Sequence, residues 1–343
     1  MNLQERKEIL VRLGRLMQSD DAEWNGAKQK ATAENAWFTP QFIDLSAANI
    51  ATFFLQEEKL QILIDRYKLP EENPSPKKVG LVMAGNIPLV GFHDLLCTFL
   101  TGHFAFVKLS SRDSILIKFL VKKMVEWQPE AAPYFTVSDM LKGCDAYIAT
   151  GSNNSSNYFA YYFGKYPHII RKNRTSVAIL TGEETDAELE KLADDVYLYF
   201  GLGCRNVTKI FVPEGYDFAH LLQVFRKYNY LADHTKYKNN YDYNLALHLL
   251  NKRPYMSNES LLLVEEASLF SPISQLHYEF YRDAGQLKTQ LKENENIQCI
   301  VGKTDTPFGE AQCPDVCDFA DGVDTIRFLL SLQEGKKYED LSK

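Results

Sequence analysis

Apolar positions recur at helical spacing from Leu3 to Met17, where Ile9, Leu10 and Val11 follow the charged run Glu5, Arg6, Lys7, Glu8. A second helical run opens at Ser46, which reads as an N-cap, and continues through Phe53, Phe54, Leu60, Leu63, Ile64 and Tyr67. Prolines between Leu69 and Lys77 end it. The period then changes. Apolar runs of strand length stand at Val79–Ala84, Phe104–Leu109, Ala146–Ala149 and Ser176–Leu180, separated by helix-like stretches near 88–102, 114–127 and 155–163. Strand and helix in alternation predict parallel strands with both faces covered, an α/β domain that binds ligands at the carboxyl ends of its strands. After the turn Thr181-Gly182-Glu183-Glu184 a second α/β block follows. It has helices near 187–200 and 217–228, strands near Val207–Val212, Leu261–Val264 and Ile297–Val301, and a Tyr- and Asn-rich stretch at 228–244. The boundaries expected are a helical segment at 1–75, a first α/β domain at 76–180, a second at 181–305, and a returning C-terminal segment at 306–343.

Composition narrows the function classes. The 343 residues are enough for about two domains, and 45% hydrophobic with 24% charged residues is ordinary globular usage. Lys+Arg 38 against Asp+Glu 45 leaves a net charge of -7 with no basic stripe, which argues against nucleic acid as a partner. The charged N-terminal run lacks the apolar core of a secretory signal, and no run of about 18 apolar residues could span a bilayer, so a cytoplasmic protein is expected. Cysteines at 97, 144, 204, 299, 313 and 317 are read as thiols rather than a disulfide framework.

Familiar motifs are mostly missing. There is no G-x-x-x-x-G-K-[ST] loop, no H-E-x-x-H and no G-x-S-x-G, which removes the main support for kinase, metalloprotease and serine-hydrolase readings. Gly201-x-Gly203 follows a helix and precedes a strand, the reverse of a dinucleotide fingerprint. Cys313 and Cys317 lack a second Cys/His pair at finger spacing, so no metal site is predicted.

Four clusters carry candidate chemistry. Cys204, in Phe200-Gly201-Leu202-Gly203-Cys204-Arg205-Asn206, sits on a glycine-flanked turn between helix and strand, where Arg205 or amide N–H groups would favour the thiolate. The alternative is a small buried hydrophobe. Asn86, in Gly85-Asn86-Ile87-Pro88, follows the first strand of the α/β domain, with Pro88 suited to the first turn of the next helix; its amide suits an oxyanion or merely a turn. Lys108-Leu109-Ser110-Ser111-Arg112 ends the next strand with cations around two hydroxyls, fit for phosphate or ribose or for a solvated turn. Thr150-Gly151-Ser152 ends the third, to pass beneath a nicotinamide or to cap a helix.

Taken in order, these clusters resemble the aldehyde dehydrogenase superfamily, and within it the LuxC-like acyl-CoA reductases. The closer resemblance is carried by Gly85-Asn86-Ile87-Pro88-Leu89-Val90-Gly91-Phe92-His93-Asp94, by Lys108-Leu109-Ser110-Ser111-Arg112-Asp113 and by Asp318-Phe319-Ala320-Asp321-Gly322-Val323-Asp324-Thr325, over about residues 75–330. It implies an aldehyde-dehydrogenase-like α/β fold, with a Rossmann-type parallel-sheet cofactor domain at 76–180 and a catalytic thiol domain at 181–305. It also implies Cys204 as acyl acceptor, Asn86 as oxyanion amide, Lys108 at the cofactor ribose and Gly151-Ser152 beside pyrophosphate and nicotinamide. Phe270, in Ser268-Leu269-Phe270-Ser271-Pro272-Ile273, matches the aromatic at the nicotinamide end. Two departures from the pattern are informative: Ile169–Thr175 offers no acid where oxidising members hold their water-activating Glu, and Ser268 stands where many relatives have a Glu on the ribose.

The activity expected is therefore reduction of an acyl thioester, acyl-CoA, to an aldehyde through an acyl-cysteine, because a missing water-activating base favours hydride transfer over hydrolysis. NADPH is the cofactor expected, since Ser110, Ser111 and Arg112 would accept a 2'-phosphate that a carboxylate would repel. Alternatives are a cysteine thioesterase or acyltransferase, reduction of an acyl phosphate, and an interaction subunit with a relict site beside an acyl-activating or acyl-carrier partner. Exposed helices make a homodimer the assembly expected. The aromatic run Tyr158–Phe163 reads as core or subunit interface, Arg171, Lys172 and Arg174 as a solvated turn rather than contacts to CoA phosphates, and His93 and His168 as residues with no visible partner and no catalytic role.

Overall fold

The computed structural model describes residues 1–334; positions 335–343 of the expected C-terminal segment lie outside the described residues. The chain divides into two compact units, Met1–Asn173 with the chain from Asp315 onward, and Arg174–Pro314.

Unit 1 begins with α1 (Leu3–Met17), α2 (Ala22–Glu34), α3 (Pro40–Phe53) and α4 (Glu57–Tyr67). A capping box between Asn2 and Glu5 starts α1. Thr39 caps α3 and Pro40 occupies its first turn, so Ser46 is not an N-cap but lies mid-helix, buried. Then come β1 (Lys78–Val82), α5 (Phe92–Leu100), β2 (Phe104–Lys108), α6 (Ile115–Trp127), β3 (Phe135–Val137), β4 (Ala146–Thr150), α7 (Asn153–Phe163) and β5 (His168–Arg171). The strands form one parallel sheet in the order β3-β2-β1-β4-β5. Strand order reverses at β1, the topological switch point whose carboxyl edge is the ligand crevice of open α/β sheets. The N-terminal helices share one core with this sheet: Leu10, Leu13 and Trp24 are buried with Val79, Phe99 and Leu120, and Trp24 stacks on Phe119 at 5.5 Å.

Unit 2 contains β6 (Thr175–Ile179), α8 (Asp186–Tyr197), β7 (Val207–Pro213), α9 (Phe218–Val224), α10 (Thr235–Leu250), β8 (Met256–Ser257), β9 (Leu262–Glu265), β10 (Gln275–Tyr281), α11 (Ala284–Lys292) and β11 (Ile297–Val301). Its sheet runs β11-β6-β7-β10-β9-β8, parallel except for the β8–β9 pair. The run Ser176–Leu180, taken from the pattern as the last strand of the first domain, thus belongs to the second sheet, and the division falls at 173/174 instead of 180. The second division falls at 314/315, not 305/306. The helix α12 (Thr325–Glu334) returns to unit 1, where Ile326, Phe328 and Leu329 are fully buried in its core. No described helix is long and apolar enough to cross a membrane.

Candidate active site

In unit 1 the loops after β1, β2 and β4 rise from adjacent strands at one carboxyl edge, and they hold Asn86, Lys108–Arg112 and Gly151–Ser152. Asn86 is half-buried in a bend. Pro88 does not start the following helix; residues 88–91 form a turn and α5 begins at Phe92. Leu89 adopts a left-handed backbone, φ 59°, and its N–H donates to Asp113 Oδ2 at 2.7 Å. Ser46 Oγ donates to the Pro88 carbonyl at 2.7 Å. A Cβ on Gly85 would lie 2.5 Å from Ser110 Oγ, so only glycine lets the two loops meet.

The β2 loop leaves Lys108, Ser111 and Arg112 exposed and Ser110 half-buried, its Oγ accepting from the Arg112 N–H at 3.2 Å. The acid that follows, Asp113, turns inward to Leu89, so the exposed part of the loop presents cations and a hydroxyl without a carboxylate. Gly151 is equally constrained: a Cβ there would meet Phe159 at 2.8 Å and Ser155 at 2.9 Å. Ser152 caps α7, accepting from the Ser155 N–H at 3.3 Å. A bare glycine backbone followed by a helix N-terminus at the sheet's switch point fits a dinucleotide pyrophosphate.

The turn that carries the Cys204 thiol in unit 2 is held by Asn206. Three successive residues, Tyr199 (φ 54°), Phe200 (φ 58°) and Gly201 (φ 73°), turn left-handed after α8, and only the last is glycine. The fully buried Asn206 stabilises that turn. Its amide donates to the carbonyls of Asp195 (3.0 Å) and Leu198 (2.8 Å), and its Oδ1 accepts from the Gly203 N–H at 2.8 Å. Ser176 Oγ donates to the Cys204 carbonyl at 3.1 Å. Cys204 itself is half-buried, which sets aside the reading of a fully packed hydrophobe. Asp195 carries the network on: its carboxyl accepts from Gly309 N–H (2.7 Å) and Ala311 N–H (3.0 Å), and burial pushes it up to about 7 against those two bonds.

Phe270 is half-buried and lines a cavity of about 380 Å³ with His248, Glu266, Ser268 and His277, all in unit 2. Ser268 is exposed, its hydroxyl donating to the Phe270 carbonyl at 3.2 Å.

Three other expectations are corrected. Arg171 is not in a solvated turn: it ends β5 buried, ion-paired with Asp94 of α5 and donating to Thr325 Oγ at 2.9 Å. That contact joins the Gly85–Asp94 motif to the Asp318–Thr325 motif, 77 and 154 residues from Arg171 in sequence at their contact points. The aromatic run is not core, which leaves its other reading, a subunit interface: Tyr158, Tyr161 and Tyr162 are exposed, and Phe163 stacks on Tyr147 at 4.1 Å. His93 does have a partner, the Val316 carbonyl at 3.0 Å, and burial lowers its pKa. Sequence reasoning gave Asp113, Asn206 and Ser46 no site role; the first two stand inside the quoted motifs, and Ser46 had no signal beyond its polarity in an apolar run.

Residues 66–223 match the family model described as acyl-CoA reductase (LuxC). The resemblance read from the sequence is shown. No curated protein matches the chain. Among solved structures the chain is similar to aldehyde dehydrogenase 21 from Physcomitrella patens in complex with the product succinate, with TM-score 0.70 and 12% identity over 97% of this chain and 85% of that one. It is also similar to succinic semialdehyde dehydrogenase from Streptococcus pyogenes in complex with NADP+, with TM-score 0.61 and 15% identity over 87% and 76% of the two chains. A third likeness is to an NAD-dependent aldehyde dehydrogenase from Sinorhizobium meliloti, with TM-score 0.64 and 12% identity over 88% and 70%. The aldehyde dehydrogenase fold expected from the resemblance is therefore the fold observed.

Proposed function

We propose that this chain is an oxidoreductase that reduces an acyl-CoA thioester to an aldehyde with NADPH, through an acyl-cysteine at Cys204. The observation that carries the reading is the shared carboxyl edge of β1, β2 and β4, from which Asn86, Lys108–Arg112 and Gly151–Ser152 all arise.

The Cys204 thiolate attacks the thioester carbonyl; a carbon–sulfur bond forms to the enzyme as the bond to CoA breaks, and the CoA thiolate leaves to take up a proton. The oxyanion accepts hydrogen bonds from the Asn86 amide and the Cys204 backbone N–H. NADPH, when bound, would supply the hydride, two electrons, that the acyl carbon needs. The resulting thiohemiacetal anion on Cys204 collapses with cleavage of the carbon–sulfur bond, which releases aldehyde and restores the thiolate. Lys108 would hold the adenosine ribose, Ser110, Ser111 and Arg112 would donate to its 2'-phosphate, Gly151-Ser152 would receive the pyrophosphate on backbone N–H groups, and Phe270 would pack at the nicotinamide end. Arg171, closed in its pair with Asp94, offers no base to activate water, which supports reduction over hydrolysis.

The test is the intact mass of the protein after incubation with acyl-CoA and no reductant. An acyl adduct that is absent in Cys204→Ala and discharged as aldehyde on adding NADPH is the expected result. Free acid released without NADPH makes the chain a thioesterase, and no adduct at all contradicts the acyl-cysteine.

A further inference from the structure

We propose that Asp113 is the positioning residue of the oxyanion site: its carboxyl fixes the turn at Leu89 and so sets where the Asn86 amide donates, an inference that rests on Asn86 acting as proposed above.

The five residues from Gly85 to Leu89 are held at both ends. At the first, Gly85 closes on Ser110 with no space for a side chain. At the second, Leu89 is a branched residue in the left-handed region, a conformation that persists only where its surroundings impose it. Two groups impose it. Ser46 Oγ fixes the Pro88 carbonyl, and Asp113 Oδ2 takes the Leu89 N–H. Asp113 is itself anchored, its N–H donating to the Ser110 carbonyl at 3.1 Å, so the loops after β1 and β2 move as one piece.

The other oxygen, Oδ1, is buried and has no hydrogen-bond partner. A carboxylate so placed would keep its charge against a single N–H, whereas a neutral acid leaves only one O–H unpaired, the smaller penalty. Burial accordingly raises Asp113 to about 7, opposed only by the Leu89 N–H. Among the described residues no charged group offsets this. Lys108 and Arg112 on its own loop are exposed, and the 85–89 turn and Ser46 of α3 bring neutral groups. Ionisation of Asp113 therefore loosens the turn and withdraws the Asn86 donor.

The experiment follows CoA release in a single turnover without reductant, from about pH 6 to 9, beside NADPH affinity and the half-saturating acyl-CoA concentration. Asp113→Ala is expected to slow acylation by roughly 10–100-fold with affinities changed less than about threefold, the signature of a displaced donor rather than a lost binding contact. Asp113→Asn keeps an acceptor for Leu89. It should match the wild type below about pH 7, and the ratio of its rate to the wild-type rate should climb above that pH. Should Asp113→Ala not fold, the Asn ratio and Ser46→Ala, which frees the other latch and should slow acylation alike, carry the test. A pH-independent Asn ratio, or Asp113→Ala acylating at the wild-type rate, overturns the inference. If Asn86→Ala acylates normally, the oxyanion reading itself is wrong; if Asn86→Ala is slow while the Asp113 variants are not, only the role of Asp113 falls.

Discussion

The Arg171 guanidinium, at the last position of β5, donates to the Asp94 carboxylate on α5, both side chains almost out of solvent at 4% and 13% exposure. Each charge is tolerable there only because of the other. Arg171→Met leaves Asp94 buried without a countercharge and is expected to cost about 3–5 kcal/mol, whereas Arg171→Met with Asp94→Leu removes both charges and recovers much of it. Urea unfolding of the two single variants and the double variant measures this. Additive losses would mean that the pair is not coupled.

Asn206 supports the thiol turn through one accepted and several donated bonds to buried backbone. Asn206→Ala leaves those groups unpaired, and roughly 1–3 kcal/mol of stability should go with them. Acylation of Cys204 should fall further than stability alone explains, read as CoA release at a temperature where the variant remains folded.

A methyl group on Gly85 collides with the Ser110 side chain of the facing loop. Gly85→Ala should cost about 1–3 kcal/mol and weaken cofactor binding. Adding Ser110→Gly removes the obstructing side chain. Cofactor titration should then show the double variant binding better than Gly85→Ala alone, and failure to recover would mean that the glycine serves something other than this contact.

If Arg112 meets a 2'-phosphate, Arg112→Glu should reverse the preference between NADPH and NADH, with kcat/KM for NADPH falling about tenfold or more relative to NADH. An unchanged ratio would remove Arg112 from the cofactor site.

Stability should also respond to Asp113. Its folded pKa, about 7, lies above the ordinary carboxylate value, so folding takes up a proton between the two, and this residue's contribution falls as pH rises through that window. Asp113→Asn removes the dependence. Thermal midpoints at acid pH and above pH 7 should diverge less in the variant than in the wild type.

The apolar runs of β1 and β4 were legible because consecutive positions on both faces are covered, and β2 and β7 were legible from shorter apolar stretches. β5 was not: its Arg171 reads as surface until Asp94 and Thr325 are brought to it by tertiary contacts. β10 hides behind His277, Glu279 and Tyr residues, and α10 behind Tyr, Asn and Lys, since only three of its residues are buried. At the candidate site the motif residues were readable by type and order. The residues that hold them in place, Ser46, Asp113 and Asn206, act through backbone groups and leave no periodicity to detect.

Because α12 supplies Phe328 and Leu329 to a core that otherwise draws on Met1–Asn173 and on Val316 and Phe319, unit 1 is discontinuous in sequence and Arg174–Pro314 is an insertion within it. The inserted segment can fold from contiguous chain, whereas unit 1 cannot seal its core until both of its pieces have been translated.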